Sequence, residues 1–207
     1  MGTPAPPLVG ITVGDEPAAW ASIGFSVAED GTCPVGTVPL HLAGPDAGRG
    51  VTGWTLADDG GDIDGVPTTV GDLDSLPDHP PEHPNGVLSI DHLVAMTPNL
   101  DRTTAALEAR GIALRRTRET GRGRAQHFFR LGEVILELVG PTEPQGDGPA
   151  KLWGLAFTVA DLDATAGHLA GRIGATKDAV QAGRRIATLH AGDAISVPVA
   201  FMSQAHR

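Results

Sequence analysis

The sequence predicts an α+β fold made of tandem βαβββ modules. Three observations lead to this fold class: alternating apolar strands, amphipathic helices with clear start and stop signals, and a recurrence of the whole pattern. The pattern first runs over residues 88–141 and recurs over residues 151–203. The copies open on SIDHLVAMTPNLD and KLWGLAFTVADLD, which begin 62 residues apart. We therefore predict two well-formed modules in succession.

The helices of the two copies have recognisable ends and buried faces. Asn99 is the expected N-cap of the first helix, because its side chain accepts hydrogen bonds from free backbone N–H groups. Gly111 is expected to end that helix, because glycine tolerates the left-handed conformation. The second helix is predicted over residues 161–173. Helical spacing predicts buried faces at Leu100, Thr104 and Leu107 in the first helix and at Leu162, Ala166, Leu169 and Ile173 in the second.

Residues 1–57 are interpreted as a third, eroded βαβββ-like module. The segment VGTVPLHLAGP (35–45) aligns without a gap with LGEVILELVGP (131–141), which places His41 at the position of Glu137. A second register is open, because fewer residues precede this strand than in the complete module. In that register TVPLHLAG is the third strand and GVTGWTLA the fourth.

Residues 58–87 are predicted to form a linker or surface loop. They contain five prolines, many turn formers and little apolar periodicity. They also hold eight of the 25 acidic residues and no Lys or Arg, so most of the net charge of −10 arises here. The rest of the chain is close to neutral, which argues against nucleic acid as a partner, because phosphate binding needs a cationic face.

One segment has the opposite charge. Residues 110–130 contain seven arginines and a single acid, Glu119. Two interpretations are open: a site for an anionic ligand, or a solvated two-stranded hairpin.

Composition also bears on the compartment. The single Cys33 cannot form an internal disulfide, and no pair of cysteines is spaced as in zinc sites. The N-terminal residues have no signal-peptide pattern, and no apolar run approaches the roughly 20 residues of a membrane span. We therefore expect a cytoplasmic protein with no membrane partner.

The paired modules resemble the vicinal oxygen chelate superfamily. The residues that carry the resemblance are DHLV and NLD, which open the first strand and helix, and LGEVILELVGP, which closes the sheet. The superfamily includes glyoxalase I, bleomycin-resistance proteins, extradiol dioxygenases and methylmalonyl-CoA epimerase. The resemblance covers residues 88–203 well and residues 8–57 weakly. It implies that two modules pack side by side and that their sheets curl into a cup.

The resemblance also implies candidate metal ligands, which enzymes of this superfamily place on the first and last strands of their modules. In this sequence the positions hold His92 and Glu137 in the first module but Gly154 and Val197 in the second. A divalent ion such as Zn, Ni, Fe or Mn is the expected metal. His41 is a further candidate ligand if the N-terminal and first modules share one cup.

The residues themselves leave other roles open. A carboxylate in the middle of an apolar strand, such as Glu137, must be solvated, paired or metal-bound, and Arg130 is an alternative partner. His92 has the alternative role of a strand-end residue hydrogen-bonded to backbone or water. Two protein ligands hold a metal weakly, so we expect either no cofactor or a weakly held ion. The candidate ligand-binding residues of the cup are His92, Met96, Phe128, Arg130 and Phe157.

Two functions follow from these considerations. The first is a protein that binds a small organic molecule in the cup between modules, without established catalysis. The alternative is a metal-dependent lyase, isomerase or dioxygenase of the glyoxalase and dioxygenase type, with His92 as ligand and Glu137 as ligand or catalytic base. A homodimer is also expected, because an odd module leaves a sheet edge that needs cover.

Overall fold

The computed structural model describes residues 5–57, 60–72, 81–190, 192 and 194–205. The helices within them are α1 (Pro17–Ala21), α2 (Leu100–Glu108) and α3 (Leu162–His168), with a short 3₁₀ helix at Pro45–Ala47. The strands in chain order are β1 (Leu8–Val13), β2 (Thr32–Val35), β3 (Val38–Leu42), β4 (Val51–Ala57), β5 (Thr68–Gly71), β6 (Val87–Met96), β7 (Arg116–Gly121), β8 (Arg124–Leu131), β9 (Val134–Pro141), β10 (Lys151–Val159), β11 (Lys177–Asp178), β12 (Arg185–Thr188) and β13 (Val199–Met202). None of these helices is long and apolar enough to cross a membrane.

The two predicted modules form one eight-stranded sheet. Its strand order is β11-β12-β13-β10-β6-β9-β8-β7. In each module the first strand runs parallel to the last, since β6 pairs with β9 and β10 with β13. The antiparallel pairing of β6 with β10 joins the modules edge to edge. The predicted α+β fold with tandem βαβββ modules is therefore confirmed.

The helices pack on the face of this sheet opposite the cup. Asn99 caps α2 as predicted, because its side chain accepts a hydrogen bond from the Arg102 N–H at 3.0 Å. The second helix is shorter than predicted and ends at His168. Gly171 lies in the left-handed region, with φ of 82°, so the chain turns before Ile173, which instead bridges Leu189.

The N-terminal residues form a separate five-stranded sheet with the order β2-β3-β1-β4-β5. Strand β3 is parallel to β1, as β9 is to β6, which supports the gapless alignment. The rival register is wrong, because its fourth strand, β4, runs antiparallel to β1. Strand β5 is parallel to β4, as β13 is to β10. The N-terminal sheet therefore repeats the five central strands of the larger sheet.

The predicted linker over residues 58–87 contains more structure than expected. Strand β5 lies within it and pairs with β4. Near the end of the predicted linker, Asn85 is buried and its side chain donates a hydrogen bond to the Ile23 carbonyl at 2.9 Å. His83 is also buried and accepts from the Ser26 N–H at 3.0 Å. The prolines and acidic residues of this segment are typical of a linker. The hydrogen bonds of His83 and Asn85 join residues far apart in the sequence, so they leave no periodic pattern by which they could be predicted.

The two sheets share one hydrophobic core, and Phe157 lies at its centre. Phe157 is fully buried and packs against Trp20, Phe25 and Phe201, with ring centroids 5.1–6.2 Å apart. Its prediction as a ligand-binding residue of the cup was therefore wrong. The strand LWGLAFTV is apolar on both faces, so alternation could not show which way Phe157 points.

Phenylalanines 157 and 128 provide a test of this arrangement. We expect Phe157→Ala to lower the free energy of unfolding by about 3–5 kcal/mol, because it opens a cavity in the core. Phe128→Ala should cost on the order of 1 kcal/mol, because Phe128 lines an open cavity. Urea denaturation of both variants measures the difference. Equal losses would contradict the assignment of these side chains to opposite faces.

Candidate functional site

The face of the eight-stranded sheet opposite its helices carries two adjoining cavities. The outermost strands, β7 and β11, both line one of them, so the sheet curls until its ends approach each other. The smaller cavity has a volume of about 390 Å³ and the larger about 700 Å³. His92, Glu137 and Ile186 line both cavities. We call the combined space the cup.

Strand pairing arranges the side chains of the cup in rows that cross both modules. One row contains Arg130, Ile135, His92, Ala156, Ala200 and Thr188. The next row contains Arg116, Phe128, Glu137, Val94 and Gly154. Both modules therefore contribute to one shared surface, with His92 and Glu137 near its middle.

His92 and Glu137 face each other from the adjacent strands β6 and β9. His92 Nε2 lies 3.8 Å from Glu137 Oε2, and the two side chains are 15% and 17% exposed. This distance is too long for a hydrogen bond, so both atoms remain available to a ligand. Gln126 Nε2 donates to Glu137 Oε1 at 2.6 Å and orients the carboxyl group. Burial raises the pKa of Glu137, and the charges of His92 and Arg118 offset this only in part.

A β-bulge in β6 brings Asp91 to the same side of the sheet as His92. Pairing with β10 moves from Ala156–His92 to Phe157–Ile90, so Asp91 is the extra residue. Neighbouring residues of a regular strand point to opposite faces, and a bulge changes this alternation. Asp91 Oδ2 lies 2.8 Å from His92 Nδ1 as a result.

Asp91 is held in turn by residues of the second module. Arg184 Nη1 lies 2.6 Å from Asp91 Oδ1, and Thr158 Oγ1 donates to the same oxygen at 3.2 Å. Burial opposes ionisation of Asp91, but hydrogen bonds and charges from His92 and Arg184 outweigh it and lower its pKa to about 2. Asp91 is therefore an acceptor at neutral pH, and His92 Nδ1 must donate to it. In a neutral His92 ring, Nε2 then offers its lone pair to the cup.

Neither Asp91 nor Arg184 was predicted from the sequence to be part of the site. The sequence nevertheless contained a signal for the bulge, since an odd spacing separates the apolar residues Ile90 and Leu93, and the structure buries both. Strict alternation cannot bury both, so this spacing marks an interrupted strand. No local signal points to Arg184, which lies in the second module and reaches Asp91 only through the fold.

The second module supplies no donor atoms to match His92 and Glu137. Leu93 of β6 pairs with Leu155 of β10 at the centre of the antiparallel pairing, so these two residues are counterparts in the two modules. The residue before each of them is then also a counterpart, which makes Gly154 the counterpart of His92. A Cβ atom added at Gly154 would lie 2.9 Å from the Pro198 carbonyl oxygen. A larger side chain at this position would therefore require the backbone around Pro198 to move.

The counterpart of Glu137 is Ala200. Glu137 pairs with Val94, and the matching pair in the second module is Ala156 with Ala200. The resemblance implied Val197 instead, which was wrong because the last strand begins only at Val199. Alanine also lacks a donor atom, so the site still has two potential metal ligands from the first module and none from the second.

The other predicted residues fall into two groups. Met96 lines the smaller cavity, and Phe128 and Arg130 line the larger. His41 lies on β3 of the N-terminal sheet, beside Gly10, and does not join His92 and Glu137. The three-residue metal set with His41 was wrong, because the N-terminal module pairs within its own sheet. Among the described residues, no three His, Cys, Asp or Glu side chains are grouped so that they could hold a metal ion.

Comparison with known proteins identifies the fold. No protein-family model matches the sequence, and no curated protein matches it. A mutant of 4-hydroxymandelate synthase from Streptomyces coelicolor matches in structure with a TM-score of 0.61 and 12% identity, over 97% of this chain and 93% of that chain. Methylmalonyl-CoA epimerase from Mycobacterium tuberculosis gives a TM-score of 0.48 and 20% identity, over 58% of this chain and 91% of that chain. The Streptomyces coelicolor epimerase gives 0.47 and 23%, over 58% and 99%.

The likeness to the 4-hydroxymandelate synthase, with a TM-score of 0.61 over 97% of this chain, shows the fold of the chain. The protein has the fold of the vicinal oxygen chelate superfamily, as its sequence indicates. This fold supports several unrelated reactions, so the function must be argued from the cup itself.

Glu137 gives a test of the electrostatics of the cup. Its pKa in the folded protein lies above the ordinary value of 4.5, so folding takes up a proton between these two values. Stability is therefore lost as the pH rises through that window. We expect Glu137→Gln to melt at a higher temperature than the parent near pH 8, and the difference to disappear below about pH 4. A constant difference across this range, measured by calorimetry, would contradict the shifted pKa.

Proposed function

We propose that the protein binds a small organic molecule in the cup. The observation that supports this proposal is the smaller cavity of about 390 Å³, whose walls are apolar except at His92, Glu137 and Thr188. Ligand sites of proteins commonly have volumes of about 300–1,000 Å³ and combine apolar walls with a few polar groups. The cavity matches both features.

Trp153 supports the same proposal. Its side chain is 49% exposed although it lines the smaller cavity, as Met96 and Pro198 also do. A half-exposed aromatic ring at the mouth of an apolar cavity can cover a ligand and lose further contact with water. Trp20 and Trp54 are buried in the core, at 0% and 2% exposure, so Trp153 is the accessible tryptophan of this chain.

This difference between the tryptophans provides a direct assay. A panel of small organic molecules is screened by thermal shift, and each hit is tested for protection of tryptophan fluorescence from acrylamide quenching. We expect hits to protect Trp153, because a molecule in the smaller cavity covers its ring. We also expect His92→Ala to weaken binding of the hits more than it lowers thermal stability, because the imidazole contributes little core packing, although Asp91 loses one donor.

A pair of valine variants provides the control. Val94→Phe narrows the smaller cavity, whereas Val70→Phe adds the same ring at an exposed position of the N-terminal sheet. Binding should fall in the first variant and persist in the second. Hits that bind Val94→Phe as tightly as the parent, and that leave the quenching of Trp153 unchanged, would refute a site in the cup.

The second candidate function is a metal-dependent lyase, isomerase or dioxygenase. The observation in its favour is the Asp91–His92 hydrogen bond, because carboxylates commonly orient metal-ligating histidines in this way. The donor set does not fit a tightly held ion, however. His92 and Glu137 supply two donor groups, Gly154 and Ala200 supply no side-chain donors, and tightly bound metal sites need at least three protein ligands.

Elemental analysis tests this second function. For protein purified without a histidine tag and dialysed, we expect less than about half an ion of zinc, nickel, iron or manganese per chain, because two donors bind such ions weakly. A stoichiometric ion that survives dialysis in the parent and is lost in His92→Ala would instead establish a metal site. Ala200→Ser, a conservative change on the same surface, serves as the matched control.

A further inference from the structure

The larger cavity of the cup has a positively charged lining, although the net charge of the chain is −10. Five cationic side chains and only two carboxylates, Glu137 and Asp178, line it. The cationic residues are Arg115, Arg116, Arg118, Arg130 and Lys177. A concave surface with an excess of one charge raises the local concentration of ions of opposite sign. The cup therefore attracts anions although the protein as a whole repels them.

Strand β7 carries its two arginines on the face of the sheet that lines the cup and its one acid on the other face. Arg116 and Arg118 alternate with Thr117 and Glu119. Both arginines line the larger cavity, whereas Thr117 and Glu119 do not. This arrangement favours the interpretation of the arginine-rich segment as part of a binding surface.

The N–H groups of Arg116 and Arg118 are available to a ligand, although the charge of Arg118 also acts on Glu137. Among the residues that the structure describes, no side chain forms an ion pair or a hydrogen bond with either group. Arg116 instead lies over the ring of Phe128, with 5.5 Å between its Cζ atom and the ring centroid. Such stacking orients the guanidinium and leaves its N–H groups available.

Apolar surface lies directly beside these arginines. Phe128, Ile135 and Ile186 line the larger cavity, and Ile186 continues into the smaller cavity with Trp153. A molecule that fills the cup therefore meets guanidinium groups at one end and aliphatic and aromatic side chains at the other. This combination fits a molecule with an anionic group on an apolar body.

We propose that the ligand of the cup is an apolar organic anion, such as an aromatic carboxylate. Its anionic group binds Arg116 and Arg118 by charge-assisted hydrogen bonds, for which the planar guanidinium is well suited. Its apolar body extends past the His92–Glu137 pair toward Trp153. This inference rests on the proposed function, because it names the class of molecule that the cup binds.

Three naphthalene derivatives test the inference. Naphthalene-2-carboxylate and 2-naphthyl phosphate carry an anionic group on the same ring system, and naphthalene-2-carboxamide is the neutral analogue of the first. We expect both anions to bind at least about tenfold more tightly than the carboxamide, as calorimetry measures, because hydrogen bonds to charged groups are the strong ones. The anion that binds more tightly identifies the preferred anionic group. The preference should shrink at about 0.5 M NaCl, because salt screens the attraction.

Charge-neutralising variants locate the anion site. We expect the double variant Arg116→Gln/Arg118→Gln to lose most of the preference for both anions while its affinity for the carboxamide stays within about twofold of the parent. The carboxamide therefore also reports that the variant is folded. Arg122→Gln removes a charge from the exposed turn of the same hairpin, which does not line the cup, and should leave all three affinities within about twofold.

The outcomes separate the inference from the proposed function. If the carboxamide binds as tightly as the anions, or if Arg122→Gln weakens the anions as much as the double variant does, the anion site is refuted and the cup remains a binding site. If none of the three molecules binds, and none of the screened hits protects Trp153 from quenching, the proposed function fails and the inference fails with it.

Discussion

The antiparallel pairing of β6 with β10 is the interaction on which the rest of the structure depends. It joins the first strands of the two modules, so that the two modules extend one sheet in opposite directions. Leu93 and Leu155 lie at its centre and are both buried in the core beneath the cup. Because this pairing fixes the register of both modules, it also determines which residues of the second module lie opposite His92 and Glu137.

The bulge at Asp91 interrupts this pairing at the point where the site lies. It places a carboxylate beside His92, and Arg184 of the second module then pairs with that carboxylate in a setting where both side chains are about nine-tenths buried. Buried ion pairs contribute little net stability, because desolvation of the charges offsets most of their attraction. The pair is therefore better explained by what it positions: it fixes the tautomer and direction of the His92 ring, which adjoins both cavities.

The parts of the fold that follow from local sequence could be predicted, and those that depend on distant contacts could not. Asn99 and the buried stripe of α2 are local features, and the structure confirms them. The direction of Phe157 was missed because its strand is apolar on both faces, and Val197 was named where the structure has Ala200 because apolar alternation does not give strand register. In the site, His92 and Glu137 came from the resemblance, whereas Arg184 required the fold itself.

The N-terminal sheet repeats the centre of the larger sheet, yet it carries no matching pair of functional side chains. It instead contacts the second module beside the cup. Asp15, which follows β1, is buried and accepts hydrogen bonds from Trp20 Nε1 at 3.1 Å and from the Ser196 N–H at 2.9 Å. The Gly50 N–H also donates to Ser196 Oγ at 2.7 Å.

Ser196 lies just before Pro198 and β13, and both of these line the smaller cavity. The contacts with Asp15 and Gly50 therefore fix the wall of the cup that faces His92. Pro198, which belongs to this wall, also contacts Gly154. Its carbonyl group leaves no room for a larger side chain at that position. The N-terminal sheet thus helps to hold the second module in the arrangement in which Pro198 fills the space beside Gly154 and an apolar surface lies opposite the His92–Glu137 pair.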